Sequence, residues 1–204
     1  MSQLPLPMAW SRRGGQELLI HGANAAAIAF LRDRLSWPSH CTVLVGPPKS
    51  GRTLIGEHFA AEAGATIVDD ADRADEERLF HLWNEVRDSA GVLLLIATEP
   101  PPVWRIALPD LRTRLATAHV ARINPPDEAI AAALIAHGLE LAGSAFAPDV
   151  PEYLARRTPR CYEDIDAVVT RLNTLSLASG GKLSIASARQ ALCNKDDLDE
   201  AQGH

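Results

Sequence analysis

The residues best equipped for chemistry stand at the ends of short apolar runs. Gly46-Pro47-Pro48-Lys49-Ser50-Gly51-Arg52-Thr53 fits the pattern G-x-x-x-x-G-K-[ST] at every fixed position except the lysine, which is Arg52. Such a loop turns backbone N–H groups and the positive end of the following helix toward phosphate oxygens, and its last hydroxyl, here Thr53, holds Mg2+. Gly46, Lys49, Ser50, Gly51, Arg52 and Thr53 are the first candidate nucleotide-binding residues; the plain alternative is a strand-to-helix turn with no ligand. Arg52 keeps the usual charge, but a planar guanidinium is bulkier than an ammonium and does not reproduce its point-charge contact with the β- and γ-phosphates. Asp69 and Asp70 end the next apolar run, where a metal-binding carboxylate belongs in a phosphate-loop ATPase, so Asp69 joins Thr53 as a candidate metal ligand. Thr98 and Glu99 end the run after that and would flank the same crevice. Further on, Arg112 and Arg114 are read either as ordinary surface arginines or as cations presented to a neighbouring subunit's nucleotide, a role that accelerates hydrolysis by roughly 10³–10⁵.

Those residues need elements to hold them. Apolar residues at helical spacing predict a helix over 23–35, closed by Trp37-Pro38. A β-branched run at 42–45 predicts a buried strand entering the glycine-rich turn. Helical pattern over 52–63 stops at Gly64, strand pattern over 66–68 stops at Asp69-Asp70, and a helix over about 75–89 carries Leu79, Phe80, Leu82, Trp83 and Val86 on one stripe. Residues 92–96 form the most apolar run, ended by Pro100-Pro101-Pro102, and 119–123 offers a fourth strand. Strands alternating with helices predict an α/β fold with a parallel sheet and ligands at the strands' carboxyl ends. After Pro125-Pro126 the strand signal stops, and helices are expected at about 127–142, 148–157, 161–177 and 184–193, with Ser184 as the last N-cap. The expected organisation is an extended tail over 1–15, the α/β domain over 16–124, a helical domain over 125–194 and a polar end over 195–204.

Composition narrows the class. With 20 basic against 26 acidic residues the formal charge is −6, which lacks the global electrostatics of a protein that wraps nucleic acid, and 47% apolar residues exclude disorder and fibre. Cys41, Cys161 and Cys193 are odd in number and widely separated, without metal or redox spacing, and are read as buried reduced thiols. The chain shows no apolar run near the roughly 18–20 residues that span a bilayer, and a cytoplasmic setting is expected.

Taken in order, the phosphate loop, the Ile67-Val68-Asp69-Asp70 strand end, the acidic-apolar segment 75–86, the proline-broken strand end, Leu108-Pro109-Asp110-Leu111-Arg112-Thr113-Arg114-Leu115 and the helical remainder resemble the DnaA-type AAA+ initiator ATPases, and among them the Hda-type regulatory inactivators of DnaA. The resemblance covers about 16–193. It implies an AAA+ module with a small helical lid, ADP or ATP with Mg2+ as ligand, and Arg114 as an arginine finger acting in trans. Gln3, Leu4, Pro5, Leu6, Pro7 and Met8 look like the short peptide by which Hda-type proteins dock on the sliding clamp, the DNA polymerase III β subunit; a glutamine and a leucine can seat in a polar and an apolar subsite while prolines limit the entropy lost on ordering.

Three departures accompany the resemblance. Fifteen residues between Thr53 and Asp69 are too few for a helix–strand–helix, so an edge strand is expected to be deleted and about four main strands to remain. The nucleotide-sensing arginine of the third lid helix is replaced by Glu163, a carboxylate that repels phosphate, with Arg160 as the alternative cation. The helix-turn-helix domain of DnaA is expected to be missing, and sequence-specific DNA binding with it. What the resemblance implies is a negative regulator of replication initiation, with DnaA and the clamp as partners and a homodimer as an option. The rival readings are a helicase-loader or DNA-remodelling ATPase, a structural clamp adaptor, and a small-molecule kinase.

Overall fold

The computed structural model describes residues 9–13 and 16–192. Within it the chain divides between Asn124 and Pro125 into two units. The expected clamp peptide at residues 3–8, Cys193 and the polar end all lie outside the described residues.

The first unit opens with β1 (Ala9–Arg13) and β2 (Gln16–Ile20), an antiparallel pair running from Ala9↔Ile20 to Arg13↔Gln16. This corrects the reading of 1–15 as an extended tail: from Ala9 onward the backbone donors and acceptors of one five-residue stretch are matched by the other. Next come α1 (Ala25–Arg32) and a 3-10 turn at Arg34–Ser36, so the expected helix is shorter by a turn. β3 (Cys41–Val45) leads into α2 (Arg52–Ala63), β4 (Thr66–Val68), α3 (Glu76–Asp88), β5 (Leu93–Ala97), α4 (Pro109–Thr117) and β6 (His119–Arg122).

The four strands β3 to β6 form one parallel sheet in the order β4-β5-β3-β6, the α/β architecture with about four main strands that the spacing implied. Every residue of β3 and β5 is buried, as required of central strands covered on both faces. Period-two alternation sends Cys41, Val43, Val45, Leu93 and Leu95 to a core with Leu79, Trp83 and Val86 of α3 and Leu111 and Leu115 of α4. The opposite face takes α2, where Gly56 lies directly against Ile96 and Leu94. The parallel register brings Val45, Val68 and Ala97 to neighbouring ends of the sheet, and the chain leaves each into a candidate segment.

Helix α4 is an addition to the sequence reading. Pro109 occupies its first turn, where a missing N–H costs nothing, and Leu111 and Leu115 are one turn apart and both buried.

The second unit is helical: α5 (Glu128–Leu141), α6 (Val150–Ala155), α7 (Tyr162–Ser179), and helical residues from 185 to 192, the last described. Ile135, Leu139, Val150, Leu154, Ile165, Val168, Leu172 and Leu183 form its core. Asp127 caps α5 by accepting from the Ile130 amide at 2.8 Å. Cys161 corrects another expectation. It is half-buried rather than buried, because it is the N-cap of α7, its Sγ donating to Asp164 Oδ2 at 2.8 Å. Burial and that bond both raise its pKa and keep it a thiol.

Candidate functional site

The phosphate-loop segment leaves β3 at Val45 and enters α2 at Arg52. At Gly46 a Cβ would come within 2.8 Å of Ser50 Oγ and 3.0 Å of Ile123 Cβ, so only glycine lets the loop fold back this tightly. Lys49 and Gly51 adopt left-handed backbone, φ 62° and 80°, which turns the chain into the first turn of α2. The unpaired amides of that turn are what a phosphate requires. Ser50 is buried and its hydroxyl has no hydrogen-bond partner among the described residues, an orphan donor inside the loop.

Thr53 and Asp69, the two candidate metal ligands, are brought together: Thr53 Oγ1 donates to Asp69 Oδ2 at 2.8 Å. The second oxygen of Asp69 accepts from the Asp70 amide at 2.9 Å, which fixes the carboxylate and supports left-handed backbone at Asp70, φ 46°. A non-glycine residue held in that conformation at a strand end is the kind of strain found where side chains are being aimed.

Arg52 is aimed inward. One terminal nitrogen donates to Gly46 O at 2.8 Å and to Thr98 Oγ1 at 2.7 Å, and the other lies 3.4 Å from Asp70 Oδ1. Thr98 therefore belongs to the cluster, as its place after β5 implied. Glu99 does not join it: its side chain is exposed and makes no bond among the described residues, and its carbonyl accepts from Trp104 Nε1.

The loop amides, the orphan Ser50 hydroxyl and the Thr53–Asp69 pair fit a magnesium-bound phosphate. That group, when bound, would polarise the phosphate oxygens. Thr53 and Asp69 would hold the metal and the loop the phosphate, and Arg52 bonds Gly46, Thr98 and Asp70 beside them.

A buried polar turn beside the loop has no counterpart in the sequence reading. Asn24, almost fully buried, accepts from the His21 amide at 2.8 Å and donates to Leu19 O at 2.9 Å. Ala23 O accepts from the Asn124 amide, and the adjacent Ile123 amide bonds Val45 O, so the turn is one strand away from Gly46. Its signal was an asparagine just ahead of an alanine run, easily taken for a cap, yet Asn24 bonds backward and caps nothing.

Arg114 is half-buried on α4, its guanidinium 4.4 Å over the Phe80 ring and donating to Asn84 Oδ1 at 2.6 Å. Arg112 is exposed and makes no side-chain bond among the described residues. In the second unit, Arg160 is exposed and reaches Glu128 at 3.9 Å, and Glu163 lies exposed in the first turn of α7.

No protein-family model matches the chain. It is 26% identical over 118 residues to the chromosomal replication initiator protein DnaA of Nautilia profundicola, a match covering 57% of this chain and 27% of that protein. It is 30% identical over 122 residues to DnaA of Thermomicrobium roseum, covering 59% and 26%. Among solved structures, domain III of the Thermotoga maritima replication initiation protein DnaA superposes with a TM-score of 0.71 at 14% identity, over 86% of this chain and 93% of that one. The chain is thus similar in sequence to DnaA over part of its length and has the AAA+ fold of DnaA domain III. The Thermotoga maritima RuvB Holliday junction branch migration motor shares the AAA+ fold less closely, with a TM-score of 0.58 at 13% identity over 83% of this chain and 66% of that one. The chain spans about a quarter of the length of the curated relatives it matches. None of its described helices is long and apolar enough to cross a membrane.

Proposed function

We propose that this DnaA-related chain is a negative regulator of replication initiation that acts in the cytoplasm on a partner's nucleotide. It docks on the DNA-loaded sliding clamp through Gln3, Leu4, Pro5, Leu6, Pro7 and Met8 and supplies Arg114 to ATP held by DnaA. The added cation stabilises charge on the transferring phosphate, DnaA hydrolyses its ATP, and initiation is switched off. The observation that carries the reading is the mounting of Arg114. An arginine delivered to another molecule must be oriented before contact, and Phe80 and Asn84 supply a platform and an anchor on one helix. The similarity to DnaA supports the choice of partner, since a finger and a nucleotide site on two modules of one fold meet through complementary, unlike surfaces.

The chain's own loop has the parts to hold ADP or ATP with Mg2+ in this reading, through Gly46, Lys49, Ser50, Gly51, Thr53, Asp69 and Asp70, with Thr98 at its edge. Arg160 is the candidate cation of the helical unit.

The test is ATP hydrolysis by purified DnaA in the presence of clamp-loaded DNA. Arg114→Ala abolishes the stimulation and leaves clamp capture intact, whereas Gln3→Ala with Leu6→Ala abolishes capture. Stimulation that survives Arg114→Ala but is lost with Arg112→Ala would move the finger to Arg112; survival in both sinks the mechanism and favours a structural adaptor.

A further inference from the structure

The helical unit carries a cleft of its own, about 310 Å³, whose polar wall comes from Arg157, Thr158, Asp164 and Arg171 and whose apolar wall includes Val168 and Leu192. Asp164, Val168 and Arg171 stand at positions i, i+4 and i+7 of α7 and so share one face, while Arg157 and Thr158 come from the connection after α6. Thr158 is 6% exposed, its amide is spent on Leu154 O at 2.8 Å, and its buried hydroxyl bonds no partner among the described residues. The Nε–H of half-buried Arg171 is likewise buried without a partner among them. Exposed Arg157 is already oriented: its guanidinium carbon sits 3.9 Å over the Tyr153 ring and one terminal nitrogen donates to Tyr153 O at 3.1 Å, which leaves the rest of the fork to a ligand. A hydroxyl and a cationic N–H buried unpaired both cost free energy, and their meeting in one cleft calls for a group that supplies acceptors.

We infer that this cleft binds a small phosphate monoester, with the Arg157 and Arg171 guanidiniums and the Thr158 hydroxyl on its phosphate. Two guanidiniums against one carboxylate leave the wall net positive. Guanidinium forks match phosphate oxygens in pairs, and donors arriving from two separate chain segments suit a tetrahedral anion better than a carboxylate, whose acceptors lie in one plane. The volume is at the small end for ligand pockets, room for the phosphate and a few carbons laid against Val168 and Leu192. Asp164 repels the phosphate, but it accepts from Cys161 Sγ at 2.8 Å and is suited to accept in the same way from a hydroxyl on the carbon part of the ligand. Arg160, the candidate nucleotide cation, reaches Glu128 and is not in the cleft wall. The inference therefore rests neither on the phosphate loop nor on the trans-acting role of Arg114.

The experiment titrates the isotope-labelled full chain with glycerol 3-phosphate and follows the Thr158 amide and the Arg157 and Arg171 Nε–H resonances by NMR, which separates this cleft from the phosphate loop. The three signals move together and saturate. Arg171→Gln weakens the affinity about tenfold. Thr158→Val keeps the shape and removes the orphan hydroxyl; affinity falls several-fold while the ligand-free thermal midpoint stays or rises, a pairing that a structural role for the hydroxyl does not produce. Malate, which offers carboxylates and a hydroxyl, binds about tenfold more weakly than glycerol 3-phosphate. Overturning results are no movement of the three signals, including shifts confined to residues 46–53, unchanged affinity in either variant, or malate bound as tightly as the phosphate ester. If Arg171→Gln does not fold, Thr158→Val decides.

Discussion

The Arg114 guanidinium donates to Asn84 Oδ1 at 2.6 Å while its carbon lies 4.4 Å above the Phe80 ring. Both contacts come from α3, so one helix aims the cation carried by another. Removing the Asn84 amide leaves the charge and loosens its direction. A hydrogen bond to a charged group contributes about 1.5–3 kcal/mol, so Asn84→Ala should lower stimulated DnaA hydrolysis about tenfold or somewhat more. Arg114→Lys should not rescue, because an ammonium cannot stack flat on Phe80 and reach Asn84 together. Hydrolysis by DnaA with each variant at saturating concentration checks both; full activity in Asn84→Ala would show that α3 plays no part in aiming.

Glu76 positions the same helix from its other end. Its carboxylate accepts from the Ala107 amide at 3.0 and 2.9 Å and from the Leu108 amide at 2.8 Å, immediately before α4. Glu76→Ala strands two backbone donors, and the expected loss is about 1–3 kcal/mol of stability, read by urea denaturation. Stimulation of DnaA should fall as well, because the segment leading into α4 loses its anchor.

The parts of the site that were legible in the sequence are those set by local pattern. Glycine spacing between an apolar strand and a helix identifies the loop, and the strand ending at Asp69 places a carboxylate beside Thr53 because β3 and β4 both end at the same edge of the sheet. Long-range pairings were not legible. Arg52 finds Thr98 across 46 residues, and Glu76 finds Ala107 across 31, through strand order and helix placement that no local window contains. Helix α4 was hidden for another reason: Leu111 and Leu115 are its only buried residues, too few to set a helical period among Asp110, Arg112, Thr113 and Arg114.

Two histidines give the fold a pH dependence of definite sign. His40 packs edge-on against Trp83, centroids 4.8 Å apart, and its pKa is lowered chiefly by burial and further by Arg87 and Arg114, against a backbone hydrogen bond at Trp83 that raises it. His119, 3.6 Å from the Phe30 ring, is lowered by burial. Below the ordinary histidine value of about 6.5 the unfolded chain binds these protons first, so stability is held above that pH and falls as pH drops toward the lowered folded values. His40→Gln with His119→Gln should flatten the fall of the urea midpoint as pH drops below about 6.5. Arg114→Ala should raise the His40 pKa in an NMR titration by removing one neighbouring cation; an unmoved resonance would contradict the proximity.

Gly56 tests the packing that sets the loop's height above the sheet. A Cβ there runs into Ile96 Cδ1 and comes within 3.4 Å of Leu94 Cδ2, which means α2, whose first turn borders the candidate phosphate loop, rests on the strand without a spacer. Gly56→Ala gains about 1 kcal/mol of helix propensity but overpacks by about 1–3 kcal/mol, for a net loss. Ile96→Val removes the Cδ1 that collides and alone costs about 0.5–1.5 kcal/mol. Combined, the two substitutions relieve each other, because the new methyl enters the space that the lost one vacates. A double-mutant cycle by urea denaturation should therefore show a double variant more stable than the sum of the singles. Strict additivity would mean that α2 shifts away from the sheet instead, in which case Arg52 would be carried off Thr98 and Gly56→Ala alone should change nucleotide affinity.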